Sequence, residues 1–369
     1  MGVVARRMQM AVNSRVFPGA VLLVSHKGKV VFHEAFGLAD ISSGQLMTKD
    51  SVFDLASLTK PLATALSIIK LVECGAICVD QRLGQILTHI PSDKASITVE
   101  QLLRHTSGLP AHRPFYKRVI AYPLQVRLDL MRKLVLKEVL VAKPGEDQIY
   151  SDLGYMLIAW IIEIVSGCLL DQFVQRYLYE PLGIKDLYFV RMASHKHTEN
   201  RMCEKSIIFQ RSKLFVSTEM CPWRKKVLRG EVHDDNAWSV GGVDGHAGLF
   251  GTASGVYSLL KELINLVNGK KSLLFSSHVL KYFLKKKEGE NMVGGFDTPS
   301  LHGSSAGKYF SSESFGHLGF TGTSFWVDPL KAIIVVLLSN RVHPSRNNQQ
   351  IKGFRPEIHD LVFETLMEL

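Results

Sequence analysis

The chain has 369 residues, of which 46% are hydrophobic and 21% charged, and its formal net charge is +10. This composition is typical of a soluble globular protein, and the length favours one large domain or two interleaved ones. No apolar run reaches the ~18 residues that a membrane-spanning helix needs. Arg6, Arg7 and Asn13 interrupt the N-terminus, so no secretory signal is predicted. As written, the sequence predicts a cytoplasmic protein with no membrane partner; the alternative is a signal that has been trimmed off.

The positive charge suggests nucleic-acid binding as a hypothesis. The basic residues are scattered, however, and the two densest runs, 224–226 and 285–287, accompany no nucleic-acid motif. We therefore interpret these runs as solvated surface and predict no nucleic-acid partner. The five cysteines are odd in number and contain no C-x-x-C pair, which indicates unpaired thiols in a reducing compartment.

The N-terminal part of the chain predicts a short helix, a hairpin and a long helix. Residues 2–14 are amphipathic, and two alternating apolar runs, 20–25 and 30–36, flank a turn at 26–29. Residues 53–75 then predict a long helix that is apolar on nearly every side. A helix of that kind is normally buried in a large core.

This long helix carries an S-x-x-K tetrad formed by Ser57 and Lys60. Residues three apart share a helix face, so the hydroxyl and the amine should point the same way, as an activated nucleophile requires. The tetrad alone is a weak signal, because a helix-capping serine followed by a solvated lysine gives the same pattern. Lys60 also precedes Pro61, and the residue before a proline resists helical geometry.

The middle of the chain is predicted to be mainly helical. Residues 98–101 have the form of a capping box, residues 111–135 predict a helical insertion, and the stretch 150–155 opens an apolar helix over 156–165. Residues 190–230 are polar and basic and predict no regular element. Further helices are predicted at 170–179, 254–267, 275–286 and about 355–368.

Two late strands, at 317–327 and 332–340, complete the predicted layout. Together with the N-terminal hairpin they indicate an α+β fold, in which one antiparallel sheet is flanked by helices and a mainly helical domain is inserted. We expect a sheet subdomain from about 1–55 and 255–369 and a helical subdomain over about 56–254.

Three short segments occur in an order that resembles a known family: Ser57-Leu58-Thr59-Lys60, Tyr150-Ser151-Asp152 and His317-Leu318-Gly319. Similar triplets of motifs mark penicillin-recognising enzymes. The chain is similar to the branch with a tyrosine motif, which contains class C β-lactamases, D,D-peptidases and β-lactamase-like esterases, over roughly residues 15–365. The resemblance implies a β-lactamase/transpeptidase-like fold and no cofactor.

The resemblance also implies a role for each motif. Ser57 would attack a carbonyl carbon and form an acyl-enzyme, with either Lys60 or Tyr150 as the base; the sequence leaves both alternatives open. The backbone N–H groups of Ser57 and Phe320 would form the oxyanion hole. Gly319 would let a substrate approach the strand closely.

Two residues depart from the family pattern. Asp152 stands where asparagine is usual, and a carboxylate beside Lys60 would hold the lysine charged and favour Tyr150 as the base. His317 stands where penicillin-binding members commonly have lysine, and a neutral imidazole binds a substrate carboxylate less strongly. We therefore predict a serine hydrolase of the esterase or D,D-peptidase type that acts on a small ester, amide or peptide. The alternatives are a β-lactamase proper and a catalytically weak penicillin- or peptide-binding protein.

The glycine-rich stretch 231–251 contains His233, Asp235 and His246, which are candidate metal ligands by residue type. Their spacing fits no recurrent zinc site, so no metal is predicted. We interpret His246 and Asn236 as hydrogen-bonded loop residues. The sequence predicts no particular oligomeric state.

Overall fold

The computed structural model of the protein describes residues 1–192, 214–287 and 289–367. Much of the stretch 190–230, for which no element was predicted, lies outside the described residues, as does Cys203. The described residues form an α+β fold with a large antiparallel sheet, as predicted. The strands, in chain order, are β1 Gly19–His26, β2 Lys29–Asp40, β3 Gln45–Leu46, β4 Phe53–Asp54, β5 Leu187–Phe189, β6 Ser217–Cys221, β7 Lys226–Arg229, β8 Leu249–Gly251, β9 Met292–Val293, β10 Phe296–Asp297, β11 Phe315–Leu318, β12 Ser324–Asp328 and β13 Ile333–Ser339.

Helices cover both faces of this sheet and fill the middle of the chain. The described α-helices are α1 Gly2–Asn13, α2 Leu66–Glu73, α3 Leu83–Ile86, α4 Val99–Leu103, α5 Tyr116–Val119, α6 Leu124–Lys137, α7 Asp152–Ser166, α8 Leu170–Val174, α9 Asp235–Ser239, α10 Ala253–Val267, α11 Ser277–Leu284 and α12 Ile351–Met367. Short 3₁₀ segments cover Ala56–Leu58 and Glu180–Leu182, and π-helical segments cover Lys60–Ala65 and Gln175–Tyr179.

The large sheet has eight strands in the order β3-β2-β1-β13-β12-β11-β10-β9, with antiparallel neighbours. Strands β1 and β13 pair at its centre, and their side chains alternate between two apolar cores because successive residues point to opposite faces. Val21 and Leu23 enter the core shared with the helical middle region, whereas Leu22 and Val24 pack with the terminal helices α1 and α12. The sheet is therefore buried on both faces.

The predicted N-terminal helix, hairpin and capping box are confirmed, but two elements were predicted with wrong bounds, and the paired strands β6 and β7 lie in the stretch 190–230, for which no element was predicted. Residues 53–54 form strand β4, so the predicted helix 53–75 begins only at Ala56. It passes through 3₁₀, π and α geometry, because Pro61 has no N–H and disturbs the regular bonding of the first turns. The predicted strand 317–327 is two strands, β11 and β12, separated by a loop in which Gly322 has a φ of 110°.

The strands of the large sheet come from residues 19–46 and 292–339. The division of the chain into a sheet subdomain and a helical subdomain stays a prediction. Within the described ranges, none of the helices taken singly has the length and hydropathy to cross a bilayer. Two helical stretches bent against each other, Asp152–Ser166 and Leu170–Leu182, meet those criteria as a pair, by length and composition only.

Candidate active site

The candidate nucleophile lies in a tight turn after strand β4. Ser57 follows Ala56, whose φ of 49° is in the left-handed region that residues other than glycine rarely adopt. The buried carboxylate of Asp54 holds this turn, since it accepts N–H bonds from Ala56 at 2.9 Å and from His233 at 2.6 Å. Such backbone strain persists only where the surrounding structure maintains it, and it is concentrated at functional sites.

Lys60 is fully buried, and its ammonium group bonds three partners. Nζ donates to Ser57 Oγ at 3.2 Å, to Asp152 Oδ1 at 2.7 Å and to the His246 carbonyl oxygen at 3.1 Å. All three N–H donors of the ammonium are thereby used. The hydroxyl and amine that the S-x-x-K spacing placed on one face do meet.

Tyr150 reaches the same place from the start of helix α7. Its ring centroid lies 4.8 Å from Lys60 Nζ and 4.5 Å from the ring of His105. Ser151 caps α7, and its backbone N–H donates to His105 Nδ1 at 2.9 Å. The imidazole of His105 therefore fixes the Tyr150 ring from behind, while 38% of Tyr150 stays exposed, on the side that lines a cleft with Ser57.

Electrostatics keep both candidate bases protonated in the resting site. Burial alone would lower the pKa of Lys60, but the Asp152 carboxylate and Tyr150 raise it above its ordinary value. Burial raises the pKa of the Tyr150 phenol, and the Lys60 ammonium offsets this only in part. Burial would also raise the pKa of Asp152, but Lys60 and His112 lower it well below its ordinary value. An ammonium, a carboxylate and a neutral phenol therefore surround Ser57 at neutral pH.

The two N–H groups of the predicted oxyanion hole belong to Ser57 and Phe320, which line the same cleft. Within the described part of the chain, neither N–H bonds an acceptor. Two threonines of the loop after β11 tie that loop to the nucleophile segment. Thr321 Oγ1 and Thr323 Oγ1 donate to the carbonyls of residues 54 and 55, at 2.8 and 3.0 Å. The two N–H groups therefore lie on segments that are bonded directly to each other.

Gly319 is not among the described residues that line the cleft, although the next residue, Phe320, is. A Cβ added at Gly319 would lie 2.0 Å from Thr323 Oγ1 and 2.7 Å from the Leu55 carbonyl oxygen. Both distances are shorter than any van der Waals contact. The close approach that glycine permits here is thus between two segments of the protein itself.

His317 is buried beside Tyr150, with ring centroids 5.9 Å apart. Its Nδ1 bonds the Leu318 carbonyl oxygen at 2.9 Å, and Nε2 has no partner among the described residues. Burial, helped by the nearby Lys60 ammonium, lowers the pKa of His317 to about 3. The imidazole is therefore neutral at physiological pH. It supplies no positive charge at the position where penicillin-binding members commonly have lysine.

The cleft encloses about 310 Å³ and is lined by several charged residues that the sequence did not assign to the site. His112 Nδ1 lies 3.3 Å from Asp152 Oδ2, so Asp152 bridges His112 and Lys60. Arg346 also lines the cleft and pairs with the buried Glu219. No sequence pattern marked these residues, because each acts through a partner in a distant segment.

His246 was expected to be a hydrogen-bonded loop residue, and it is: Nε2 lies 2.9 Å from Asp234 Oδ1, and Nδ1 lies 3.7 Å from Asp244 Oδ2. Burial would lower the pKa of His246, but Asp234 and Asp244 raise it to about 10, so the ring is cationic at neutral pH. The residues weighed as metal ligands have separate partners: Glu219 for His233, Arg224 for Asp235 and Asp234 for His246.

Known proteins resemble this chain in sequence and in structure. The family model described as Beta-lactamase matches residues 3–355, almost the whole chain. A curated relative from Escherichia coli strain K12, named "Putative D-alanyl-D-alanine carboxypeptidase", is 28% identical over 355 residues; the match covers 89% of this chain and 79% of the relative.

Two solved structures show the same fold. The octameric penicillin-binding protein homologue from Pyrococcus abyssi superposes with a TM-score of 0.73 at 22% identity, over 100% of this chain and 77% of the homologue. EstCE1, described as a hydrolase with promiscuous acyltransferase activity, superposes with a TM-score of 0.69 at 20% identity, over 96% and 97% of the two chains. At these identities the likeness concerns the fold alone, and it confirms the β-lactamase/transpeptidase-like fold that the sequence predicted.

Proposed function

The chain belongs to the β-lactamase family, whose members are serine hydrolases, and on that premise we propose that Ser57 forms an acyl-enzyme with a small ester, amide or peptide. The observation that carries the proposal is the meeting of Ser57 Oγ with Lys60 Nζ at 3.2 Å, beside the Tyr150 ring and within one cleft. A nucleophile within hydrogen-bond reach of a group that a third residue orients is the arrangement that covalent catalysis requires.

In the proposed mechanism Tyr150 is the general base. Because Lys60 is held as an ammonium by Asp152, the phenol rather than the amine gives up its proton to solvent, and the ammonium stabilises the phenolate. Ser57 Oγ then attacks the substrate carbonyl carbon as its proton passes to the Tyr150 oxygen. The N–H groups of Ser57 and Phe320 bind the oxyanion. Collapse of the tetrahedral intermediate expels the alcohol or amine, which takes the proton from Tyr150, and water then hydrolyses the acyl-enzyme by the same route.

Within this class we favour carboxylesterase or D-alanyl-D-alanine carboxypeptidase-like activity over β-lactam hydrolysis. The neutral, buried imidazole of His317 offers no permanent cation for the carboxylate of a penicillin or for the terminal carboxylate of a D-Ala-D-Ala peptide, so this observation favours a carboxylesterase. The Asp152 carboxylate cannot donate the amide hydrogen bond that asparagine would give to an acylamino group. The name of the Escherichia coli relative supports the carboxypeptidase-like alternative.

Intact mass spectrometry after incubation with a panel of short-chain nitrophenyl esters, D-Ala-D-Ala peptides and penicillin tests the proposal. We expect a burst of nitrophenol and an acyl mass increment that peptide mapping places on Ser57. Ser57→Ala should abolish both signals. Ser67→Ala is the matched control, since Ser67 is buried in the same helical run and, among the described residues, its hydroxyl bonds the Ala63 carbonyl alone. An adduct elsewhere, or a burst that persists in Ser57→Ala, contradicts the proposal.

A catalytically weak penicillin- or peptide-binding protein is the second candidate. The observation that favours it is the protonated resting state of both Lys60 and Tyr150, which leaves no free base at neutral pH. That protein would show an acyl adduct on Ser57 that is stable for hours and no turnover after the first equivalent. Continued release of product, with an adduct that decays, supports the hydrolase instead.

A further inference from the structure

Two buried guanidinium groups stand behind the loop that carries Phe320. Arg341 follows strand β13, and Arg355 lies in helix α12; each is 5% exposed. Arg355 Nη2 donates to the carbonyl oxygens of Thr323 at 3.1 Å and Gly319 at 3.5 Å. Arg341 donates to the Phe320 carbonyl oxygen from Nε at 2.9 Å and from Nη2 at 2.5 Å.

Neither arginine has a carboxylate partner in the described ranges. Every acceptor that they bond is a backbone carbonyl, which for Arg341 also includes those of Arg346 and Asn348. A buried charge without a counter-ion is destabilising, and buried charges are normally paired with an opposite charge. Neutral side chains could donate to these carbonyls with a smaller desolvation free energy. Hydrogen bonding alone therefore does not explain why two positive charges are buried here.

The position of Arg355 supplies that reason. The Gly319 carbonyl oxygen, which accepts the Gly322 N–H at 3.1 Å and lies 3.5 Å from Arg355 Nη2, belongs to the same peptide unit as the Phe320 N–H. In a trans peptide the C=O and the N–H point in opposite directions, so a carbonyl turned toward Arg355 turns the N–H away from it, toward the side where Phe320 lines the cleft. A cation on the carbonyl also polarises the peptide and makes its N–H a stronger donor.

Arg341 restrains the next peptide unit in the same way. Its guanidinium carbon lies 4.6 Å from the centroid of the Phe320 ring, in addition to its two bonds to the Phe320 carbonyl. The carbonyl groups of the peptide units before and after Phe320 thus accept hydrogen bonds from arginines that lie behind the cleft. Burial and the neighbouring Arg341 lower the pKa of Arg355 to about 10, so Arg355 still carries its charge at neutral pH.

We infer that Arg355, assisted by Arg341, is a positioning residue of the oxyanion hole, which orients the Phe320 N–H and strengthens it as a donor to the developing oxyanion. The inference rests on the proposed function, in which that N–H stabilises the tetrahedral intermediate. Neither Arg341 nor Arg355 is among the described residues that line the cleft. Their contribution therefore belongs to the charge that develops during acylation and not to ground-state binding.

A pair of substrates that differ only at the carbonyl tests this inference. The ester and the matching thionoester place oxygen or sulfur in the oxyanion hole, and sulfur accepts hydrogen bonds poorly. Loss of one oxyanion-hole donor lowers kcat by about 10²–10³, so we expect Arg355→Met to lower kcat for the ester by ~10 to 100-fold. The thionoester should be much less affected, so the ester/thionoester ratio of kcat/KM should fall about tenfold or more. Arg355→Lys, which keeps the cation, should retain an intermediate ratio.

Arg132→Met is the matched control. Arg132 is a part-buried arginine on helix α6 that pairs with Glu163 and packs on the Trp160 ring at 5.2 Å. Its loss should leave the ester/thionoester ratio unchanged. Equal losses on both substrates in Arg355→Met would show a merely structural role and overturn the inference. If Arg355→Met does not fold by circular dichroism, the ratio measured in Arg355→Lys decides, and a wild-type ratio there overturns it.

The same experiment separates this inference from the proposed function. A wild-type protein that hydrolyses neither ester and takes up no acyl group on Ser57 from any substrate of the panel contradicts both. A wild-type protein that hydrolyses the ester through Ser57, with a ratio that Arg355→Met leaves unchanged, contradicts only the role of Arg355.

Discussion

Asp152 Oδ1 accepts a hydrogen bond from Lys60 Nζ at 2.7 Å, although 92 positions separate the two residues along the chain. The Lys60 side chain is fully buried, and the Asp152 side chain is 18% exposed. Because the carboxylate raises the pKa of both Lys60 and Tyr150, it sets the pH at which the site can lose a proton.

Asp152→Asn should move the rising limb of the pH–rate profile to lower pH. The change removes a negative charge that raises the pKa of Lys60 and of Tyr150, so whichever group acts as the base, it loses its proton more readily. Measurement of kcat/KM for a nitrophenyl ester between about pH 6 and 11 checks the direction. Asp129→Asn, on the exposed side of helix α6, is the control and should leave the profile in place. A shift to higher pH in Asp152→Asn would contradict the electrostatic account.

Two histidines near Tyr150 should titrate very differently. The hydrogen bond to Asp152 raises the pKa of His112 above 6.5, in spite of partial burial, whereas burial lowers the pKa of His317 to about 3. In an NMR titration of the imidazole signals, His112 should therefore change protonation at a higher pH than a free imidazole, and His317 should stay neutral down to about pH 4. His112→Gln and His317→Gln assign the two signals. A neutral-range transition that disappears in His317→Gln would show that the ring is less buried than the structure indicates.

His246 should stabilise the fold at neutral pH and lose that effect in alkali. Its pKa is about 10 in the folded protein and near 6.5 when unfolded, because Asp234 and Asp244 face the ring. A raised folded-state pKa means that the stabilisation is complete below about pH 6.5 and disappears as pH rises to about 10. The free energy of unfolding in urea should fall over that window, by on the order of 3 kcal/mol.

The matched variant His246→Gln should lose stability at pH 6.5 and show a flatter dependence between pH 6.5 and 10. His89→Gln, at an exposed loop position, serves as the control for the loss of a histidine as such. Parallel curves for wild type and His246→Gln would show that the two carboxylates do not hold the proton on His246.

Gly319→Ala should destabilise the protein and slow acylation together. The added Cβ would overlap Thr323 Oγ1 and the Leu55 carbonyl, so the loop bearing Phe320 must move away from the nucleophile segment. Overpacking of this kind typically costs about 1–3 kcal/mol, which chemical denaturation would measure. Gly353→Ala is the control, because a Cβ there meets nothing within 4 Å and the position is helical. That substitution should leave stability unchanged or raise it by up to ~1 kcal/mol. Full acylation of Ser57 in Gly319→Ala would show that the loop tolerates the shift.

The local parts of this structure could be predicted from the sequence because they depend on short-range patterns. The hairpin follows from alternating apolar residues around a turn, and the meeting of Ser57 with Lys60 follows from a spacing of three. The placement of Tyr150 came from the resemblance of its motif, since nothing within ten residues of it indicates a partner in the S-x-x-K segment.

The wrongly predicted elements and the unassigned site residues have physical causes that local sequence patterns do not reveal. Phe53 and Leu55 suit a buried strand as well as a buried helix, so periodicity alone placed residues 53–55 in the helix that follows. The loop at 319–323 interrupts what looks like one apolar strand, because the chain reverses there between two antiparallel strands: the Gly319 N–H donates to the Thr323 carbonyl at 2.7 Å and the Gly322 N–H to the Gly319 carbonyl at 3.1 Å. His112 gave no signal, since its role comes from its contact with Asp152, 40 positions away along the chain.

The central pairing of β1 with β13 also constrains how the protein is made. Gly19 donates its N–H to Asn340 Oδ1 across 321 positions, and the loop bearing Phe320 is held by an arginine still further along. Contacts between such distant segments form late, because closing a long loop is entropically unfavourable. A polypeptide emerging from the ribosome therefore has its nucleophile well before Arg341 and Arg355, which lie behind the opposing amide, have been synthesised. Nascent chains should therefore be inert toward the esters that the finished molecule is proposed to cleave.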